Sequence, residues 1–362
     1  MRITLTGATG FLGLRLLTEF LDRGDEITVL SRMDSQRTVA RLRRGLRALG
    51  RPEGDLDDEL RRVAACQIDL AAEWLGVGAD AFRVLADQAD QVWHYAAQTA
   101  LSGAAAKHSI NVEGTRRILE LAAQGRRRPE VHHISTVHVA GRREAGVALE
   151  SDLDPSGGFV NHYEESKCRA ELMVRAWSQA LCRPAAIYRA GGLVSDREVH
   201  PGLPLHPLAT LTMLVEEVLG PRPADSPPPP LRIPATPGGH LNLLQVEHAA
   251  RAMAQLSLTA RPPAEAVTYH IVHPLDTPAE RVARMLEAAA GVRVVFAGPH
   301  DPAAWQPAGQ PEIAGFLPYL SQRRRYDTRN VRSAGVAIDP PEITTEYLLR
   351  GVRWADVPAR VK

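Results

Sequence analysis

Ile3-Thr4-Leu5-Thr6-Gly7-Ala8-Thr9-Gly10-Phe11-Leu12-Gly13 joins an apolar strand to a glycine-rich turn. The turn runs into an amphipathic helix that carries Leu12, Leu16, Leu17, Phe20 and Leu21 at helical spacing. Gly7 can take backbone angles that other residues avoid, so the chain can turn sharply there. Gly10 has no side chain to hold a diphosphate off the backbone, and Gly13 lets the helix pack close to the sheet. The free N–H groups at the helix start then face an anion. A strand before the glycines and a helix after them are the context of a dinucleotide-binding turn.

Strand-like and helix-like segments alternate onward from this turn. Ile27-Thr28-Val29-Leu30 reads as a second strand, and Arg61 to Ile68 leads into a third that ends at Asp69. Gln91 to Tyr95, Val131 to Ser135 and Ala185 to Arg189 read as the fourth, fifth and sixth. Helical patterns fill the gaps, notably Val112 to Gln124 and Tyr163 to Leu181. This succession predicts an α/β fold, a doubly wound parallel sheet. Between the second and third strands, Leu42, Leu46 and Leu49 share a helical face among arginines, which reads as a solvated helical hairpin over about Asp34 to Arg62.

Beyond Arg189 the pattern loosens. His200 to Pro237 is proline-rich and contains the stiff run Ser226-Pro227-Pro228-Pro229-Pro230, expected as a surface loop beside a substrate cleft. Leu241 to Leu256 returns to strand-then-helix texture, and Val267 to Val272 reads as another strand. The tail from Thr277 mixes helices with a short strand near Val292 to Phe296. The expected division is a Rossmann domain over 1–192, with 239–273 returning to it, and a smaller C-terminal substrate-binding lobe from 193–238 and 274–362.

The 362 residues suffice for one large α/β unit or two modest domains. A formal net charge of +1 supplies no overall field for nucleic acid or an anionic membrane. No apolar run approaches the length of a bilayer span. The first strand starts at the second or third residue, so no signal peptide and a cytoplasmic location are expected. Cys66, Cys168 and Cys182 show no paired spacing and are expected as buried thiols.

Tyr163-Glu164-Glu165-Ser166-Lys167 opens a strong helical pattern, and residues four apart share a helix face. Tyr163 and Lys167 therefore point into one cleft. A nearby ammonium is expected to lower the phenol from its ordinary pKa near 10 and tune it for proton transfer near neutrality. Ser135-Thr136-Val137-His138 follows the fifth strand, where hydroxyls line the ligand crevice and can hold a carbonyl oxygen. Asn111 stands at the expected start of the helix after strand four, either as its cap or in a proton relay. An acid at the end of strand two would favour the free ribose hydroxyl of NAD. Ser31 and Arg32 stand there instead and suit a ribose phosphate.

The glycine turn, Tyr95-Ala96-Ala97, Asn111-Val112-Glu113-Gly114-Thr115, Ser135-Thr136 and Tyr163-x-x-x-Lys167 occur in an order that resembles extended short-chain dehydrogenases/reductases over about the first 275 residues. The chain looks most like their thioester-reductase branch, which includes fatty acyl-CoA reductases and the reductase domains of carboxylic acid reductases and peptide synthetases. Leu30-Ser31-Arg32, the helical insert after it, Val92-Trp93-His94-Tyr95-Ala96-Ala97, Tyr163 to Glu171, and the tail segment Phe316-Leu317-Pro318-Tyr319-Leu320 carry that likeness.

The resemblance implies Thr136, Tyr163 and Lys167 as catalytic residues, with Thr136 favoured over Ser135 because it lies five positions before Gly141. It implies a dinucleotide held by Gly7, Thr9, Gly10, Phe11, Leu12 and Gly13 in the turn, by Ser31 and Arg32, and by Asp69 and Leu70 at the adenine. Ala96, Ala97, Asn111, Tyr163, Lys167, Ala190, Gly191 and Gly192 complete that set. Arg41 is either a further phosphate contact or an exposed helix arginine. Ala190 stands where the family usually has proline, which implies a less fixed backbone there.

The implied activity is NADP(H)-dependent reduction of an acyl thioester, bound to a carrier protein or coenzyme A, to an aldehyde and, with a second hydride, an alcohol. The alternative is an extended-family dehydrogenase or epimerase acting on a ketone, alcohol or nucleotide sugar; the strand-two insert argues against the sugar enzymes. A non-catalytic NADP-binding sensor is the third reading, and the Tyr163–Lys167 pair argues against it. The expected partner is a small or carrier-tethered acyl substrate, with an acyl or peptidyl carrier protein; no nucleic acid or membrane is expected. His94, His132, His133 and His138 read as core or cleft histidines and no metal is expected, because no carboxylate or cysteine joins them at ligand spacing. Arg323 to Arg325 reads as a solvated run, or as a contact for the phosphates of coenzyme A or a phosphopantetheine arm.

Overall fold

Buried apolar runs dictate the centre of the molecule. The computed structural model describes residues 1–98, 105–220, 228–262, 264–298, 301 and 316–355, leaving aside the side chains of 105–109. Its strands are β1 (Arg2–Thr6), β2 (Glu26–Ser31), β3 (Val63–Gln67), β4 (Gln91–His94), β5 (Glu130–Thr136), β6 (Ala145–Ala148), β7 (Ala185–Ala190) and β8 (Gly192–Val194). They continue with β9 (Leu231–Pro234), β10 (His240–Leu241), β11 (Leu243–Gln245), β12 (Ala266–Ile271), β13 (Thr277–Pro278), β14 (Val294–Ala297) and β15 (Arg323–Tyr326). The longer helices are α1 (Phe11–Asp22), α2 (Ser35–Ala48), α3 (Glu53–Leu60), α4 (Ala79–Gln88), α5 (Ala105–Gln124), α6 (His162–Leu181), α7 (Pro207–Leu219), α8 (Val246–Leu256) and α9 (Ala279–Ala290).

Seven strands form one sheet in the order β12-β7-β5-β4-β1-β2-β3, and every neighbouring pair in it is parallel. The order reverses between β1 and β4. In such sheets ligands bind outside the carboxyl ends of the strands at that reversal. One face packs α1 and α8 over Leu5, Trp93 and Tyr188, and the other packs α4 and α5 over Val92, Val131 and Ile187. The fold is the doubly wound α/β sheet that the alternation of segments implies.

The insert after β2 is a helical hairpin, α2 and α3, laced by Arg47–Glu53 and Arg51–Glu59 ion pairs. A separate apolar cluster joins α7, β9, α9 and the helix Thr345–Val352 through Leu208, Leu211, Ile233, Val282, Leu286 and Leu348. Among the described residues no helix is long and apolar enough to cross a membrane.

Three expectations need correction. Pro207 to Leu219 is a helix, not loop: Pro207 stands in its first turn, where its missing N–H costs nothing, and the His206 ring accepts from Ala209 N. The rest of that proline-rich run is partly strand β9, and Ser226 and Pro227 lie outside the described residues. Helix α5 begins at Ala105, so Asn111 sits inside it and caps nothing. Cys168 is buried and Cys66 half-buried, but Cys182 is exposed, because it takes the left-handed C-cap position of α6 with φ 50°.

The glycine turn is sterically closed. Gly7 has φ +77°, and a Cβ there would stand 2.8 Å from Ala96 N. A Cβ on Gly13 would overlap the Gly7 carbonyl oxygen. Gly13→Ala is expected to lower stability by about 1–3 kcal/mol and to weaken dinucleotide binding about tenfold or more. Thermal melting and a fluorescence titration with NADPH check both effects; unchanged affinity would contradict the role of the turn.

Candidate active site

The carboxyl ends of β1, β4, β5 and β7 open onto a cavity of about 420 Å³. Thr136, Tyr163 and Lys167 line it together, although they come from β5 and two turns of α6. Asn161 starts α6 by accepting from Glu164 N at 3.0 Å, which sets Tyr163 and Lys167 one turn apart on the inward face. Thr136 Oγ1 accepts from His138 N at 3.3 Å, so the turn after β5 orients the hydroxyl. Ser135 alternates to the other side of the strand, where its hydroxyl donates to Glu171 at 3.1 Å.

The proton inventory differs from the sequence expectation. Burial first, then Tyr95 and the Glu164 carboxylate, push the Tyr163 phenol above its ordinary value. The Lys167 ammonium donates to the Ile134 carbonyl. Burial lowers Lys167 to about 8, against the opposing pull of Glu171. The expected lowering of the phenol by its lysine is therefore not found, because desolvation dominates. A raised phenol stays protonated at neutral pH, which is the form that donates.

The glycine turn lies beside the same cavity, which Phe11, Leu12, Ala97, Ala190, Gly191 and Gly192 also line. Gly10 starts α1 with no side-chain cap and no acid in the first turn, so the helix N-terminus is electrostatically open to an anion. Thr9 is half-buried in the turn. The Tyr95 ring packs against the turn, so that a Cβ on Gly10 would lie 3.2 Å from it, and burial raises its phenol above the ordinary value. An uncapped helix start and glycines whose missing Cβ atoms bring the backbone close are a cradle that fits a dinucleotide diphosphate.

At the far edge Ser31 Oγ accepts from Met33 N at 3.1 Å. Arg32 and Arg41 are exposed and carry no ion pair or side-chain hydrogen bond among the described residues. Asp34, the nearest acid, is engaged as the α2 cap by Arg37 N at 2.8 Å. Asp69 is exposed and accepts from Ala71 N at 2.9 Å. Leu70 is buried against Gly114 of α5. Asn111 does not reach the cavity. It is buried behind it, exchanging hydrogen bonds with the Gln98 backbone and donating to Ser166 Oγ at 2.9 Å. The backbone after Ala190 is fixed despite the missing proline: Gly191 N donates to Ile271 O at 3.0 Å and Gly192 N to Asn242 O at 2.8 Å.

Several supporting residues escape sequence reasoning. Thr6 Oγ1 accepts from Tyr95 N and Ala96 N at 3.1 Å and shares a 3.0 Å hydrogen bond with His94, which bonds Thr115 on its other side. Burial, then Lys167, holds His94 down at about 3, so it acts as a neutral strut. Glu171 and Arg189, both buried, form an ion pair at 2.5 Å behind Ser135. Tyr319, from the tail segment quoted above, donates to Glu164 at 2.7 Å and accepts from Asn161 at 3.0 Å. His132 stacks on Trp93 at 4.3 Å, while His133 turns to the other face near His94. No group of His, Cys, Asp and Glu suited to a metal ion occurs among the described residues.

Residues 5–224 match the family model described as Male sterility protein. The chain is 35% identical over 203 residues to a linear gramicidin synthase of Brevibacillus parabrevis, covering 54% of this chain and 4% of that protein. It is 30% identical over 294 residues to the isonitrile lipopeptide synthase of Streptomyces coeruleorubidus, covering 76% of this chain and 18% of the relative. The chain thus spans less than a fifth of the length of either. The terminal R domain of the myxalamid PKS-NRPS pathway shares the fold, with a TM-score of 0.74, 24% identity, and 97% and 89% of the two chains covered. The family model spans the glycine turn, the hydroxyl strand and the tyrosine–lysine helix, so the chain belongs to the Male sterility protein family, of the extended short-chain dehydrogenase/reductase type.

Proposed function

We propose that this protein is an NADP(H)-dependent reductase that converts an acyl thioester, delivered on a carrier protein or coenzyme A, to an aldehyde. The observation that carries this reading is the convergence of Thr136, Tyr163 and Lys167 on one cavity beside the glycine turn. Leu208, Leu211 and Leu214 of α7 supply an apolar wall for an acyl chain. Residues 193–238 and 274–362 form the substrate lobe in this reading, and 1–192 with 239–273 form the dinucleotide domain. The relatives are multidomain synthetases, which supports a carrier-tethered substrate.

Bound NADPH supplies the hydride to the carbonyl carbon. Thr136 and Tyr163 donate to the carbonyl oxygen as it gains charge, the work of a two-donor oxyanion site. Tyr163 holds the transferable proton because burial keeps its phenol neutral. Lys167, anchored on the Ile134 carbonyl, holds the ribose in this reading and keeps positive charge beside the phenol as it gives up that proton. Expulsion of the thiol from the resulting adduct leaves the aldehyde, and a second hydride leads to the alcohol.

The cofactor choice follows from Ser31 and from Arg32, whose guanidinium is uncommitted among the described residues. Arg32→Glu is expected to shift the kcat/KM ratio of NADPH over NADH downward by about tenfold or more. Steady-state kinetics with both cofactors measures it; an unchanged ratio removes Arg32 from the phosphate site.

The reading is tested by following NADPH absorbance with acyl thioesters, aldehydes and ketones as substrates. Thioester-dependent oxidation with aldehyde formed is the expected result. Brisk ketone reduction without thioester turnover contradicts it.

A further inference from the structure

Arg324 is 1% exposed and lines the cavity. It sits in the middle of β15, which pairs in parallel with β6 so that Arg324 meets Gly146. Strand alternation turns Arg323 and Arg325 to solvent and Arg324 inward. The basic run is therefore not uniformly solvated, as the sequence alone suggests.

Among the described residues the buried guanidinium has only neutral hydrogen-bond partners. Nη1 donates to the Gly141 carbonyl at 2.9 Å and Nη2 to Gln322 Oε1 at 2.6 Å. Nε is buried with no acceptor among the described residues. Other buried arginines are treated differently: Arg15 holds Glu247 at 3.4 Å and Arg189 holds Glu171 at 2.5 Å. Glu164 lies within electrostatic reach of Arg324, but its oxygens are engaged by the Tyr319 hydroxyl and Val160 N. A buried cation with no anion in hydrogen-bond contact is costly, and an anionic group on a ligand would complete it.

Its place narrows the ligand. Gly141 ends the short turn that starts at Thr136, so the guanidinium is tied to the segment carrying the substrate hydroxyl. Gln322, Tyr319 and Tyr326 line the same cavity and add polar groups to it. A phosphate on a pantetheine arm is separated from the sulfur by two amide units and belongs at the mouth. An anion on a guanidinium that is 1% exposed and tied to the Thr136 turn belongs to the acyl group.

We propose that Arg324 is a specificity-determining residue that receives a carboxylate on the acyl chain, making carboxyacyl thioesters the preferred substrate class. This rests on the thioester reading of the same site. Guanidinium and carboxylate match in planar, bidentate geometry, whereas an ammonium would act as a point charge.

The test compares N-acetylcysteamine thioesters, which carry no phosphate, of ω-carboxyacyl chains and of their ω-methyl isosteres, each across a range of lengths. The wild type is expected to favour the carboxylated member by about tenfold or more in kcat/KM at its best length. In Arg324→Gln that ratio falls toward unity, and Arg324→Lys retains part of it. Using a ratio cancels general damage to the enzyme, and the lysine variant covers a failure of the glutamine variant to fold. A wild-type ratio at or below unity overturns the proposal, as does a ratio preserved in Arg324→Gln. A preference that follows coenzyme A over N-acetylcysteamine whatever the acyl group also overturns it and assigns the arginine to phosphate. Free dicarboxylates of matching length, added to the NADP⁺-loaded protein, are expected to raise the melting temperature of the wild type but not of Arg324→Gln. That measurement needs no turnover, so it separates failure of this proposal from failure of the thioester reading.

Discussion

Replacing Tyr163 with phenylalanine is expected to lower kcat/KM for thioester reduction by about 10²–10⁴-fold, the usual worth of a positioned acid. The change removes one hydroxyl and keeps the ring that fills the cavity wall. Dinucleotide affinity is expected to stay within about threefold, because the lost group acts only as charge develops on the carbonyl oxygen. Thr136 cannot replace it, since a threonine hydroxyl is a far weaker acid than a phenol. A phenol kept protonated by burial is ready to donate in reduction, and it needs a base or a bound cation before it can accept in oxidation. Steady-state kinetics with a parallel NADPH titration measures both quantities. An unchanged rate removes the tyrosine from the chemistry.

The second large effect concerns support behind the site. Glu171→Ala is expected to destabilise the protein by about 3–5 kcal/mol, because it leaves a buried cation without its anion. Glu171 accepts from Arg189 at 2.5 and 3.0 Å, from Arg175 at 2.9 Å and from Ser135 at 3.1 Å. Without it, Arg189 keeps only longer contacts of 3.4 Å to Leu149 O and His270. The exposed Glu165–Arg169 pair serves as the control, where Glu165→Ala is expected to change stability by about 0–1 kcal/mol.

The effect carries a pH signature. Burial alone would raise the Glu171 carboxyl, but Arg189 and Arg175 outweigh it and leave it below its ordinary 4.5. Its stabilisation is therefore complete above about 4.5 and lost as pH falls through the lower folded value. Urea unfolding of wild type and variant should show a constant gap near neutrality that narrows in acid. A small gap at neutral pH would contradict the role of the pair.

The sheet was legible because a parallel sheet is covered on both faces, so its strands read as continuous apolar runs such as Ala185-Ala186-Ile187-Tyr188. The glycine turn was legible because its steric needs are local. The two helices that differ had local reasons. Residues 105–109 carry no apolar period ahead of Val112, and Pro207 reads as loop until its position in the first turn of α7 is known. At the site, helical spacing gave Tyr163 and Lys167 a common face, but spacing says nothing of burial, which sets the sign of the phenol's shift. Asn111 reads as a cap in the sequence because the apolar period of its helix starts at Val112, whereas the helix itself starts at Ala105. Arg324 was hidden by its neighbours, since three successive arginines look solvated until a strand alternates them. Glu171, Arg189 and Thr6 lie on elements whose partners are distant in sequence, and no local pattern marks such long-range hydrogen bonds.

The most direct measurement follows the hydride itself. The protein is incubated with an acyl thioester and NADPH deuterated at C4 of the nicotinamide, in each of its two epimers. The aldehyde is trapped and its mass read. The account predicts a deuterium on the carbonyl carbon from one epimer and free thiol released in step with NADPH oxidised. Release of thiol with a carboxylic acid and no NADPH consumed, or an aldehyde without the label from either epimer, contradicts it.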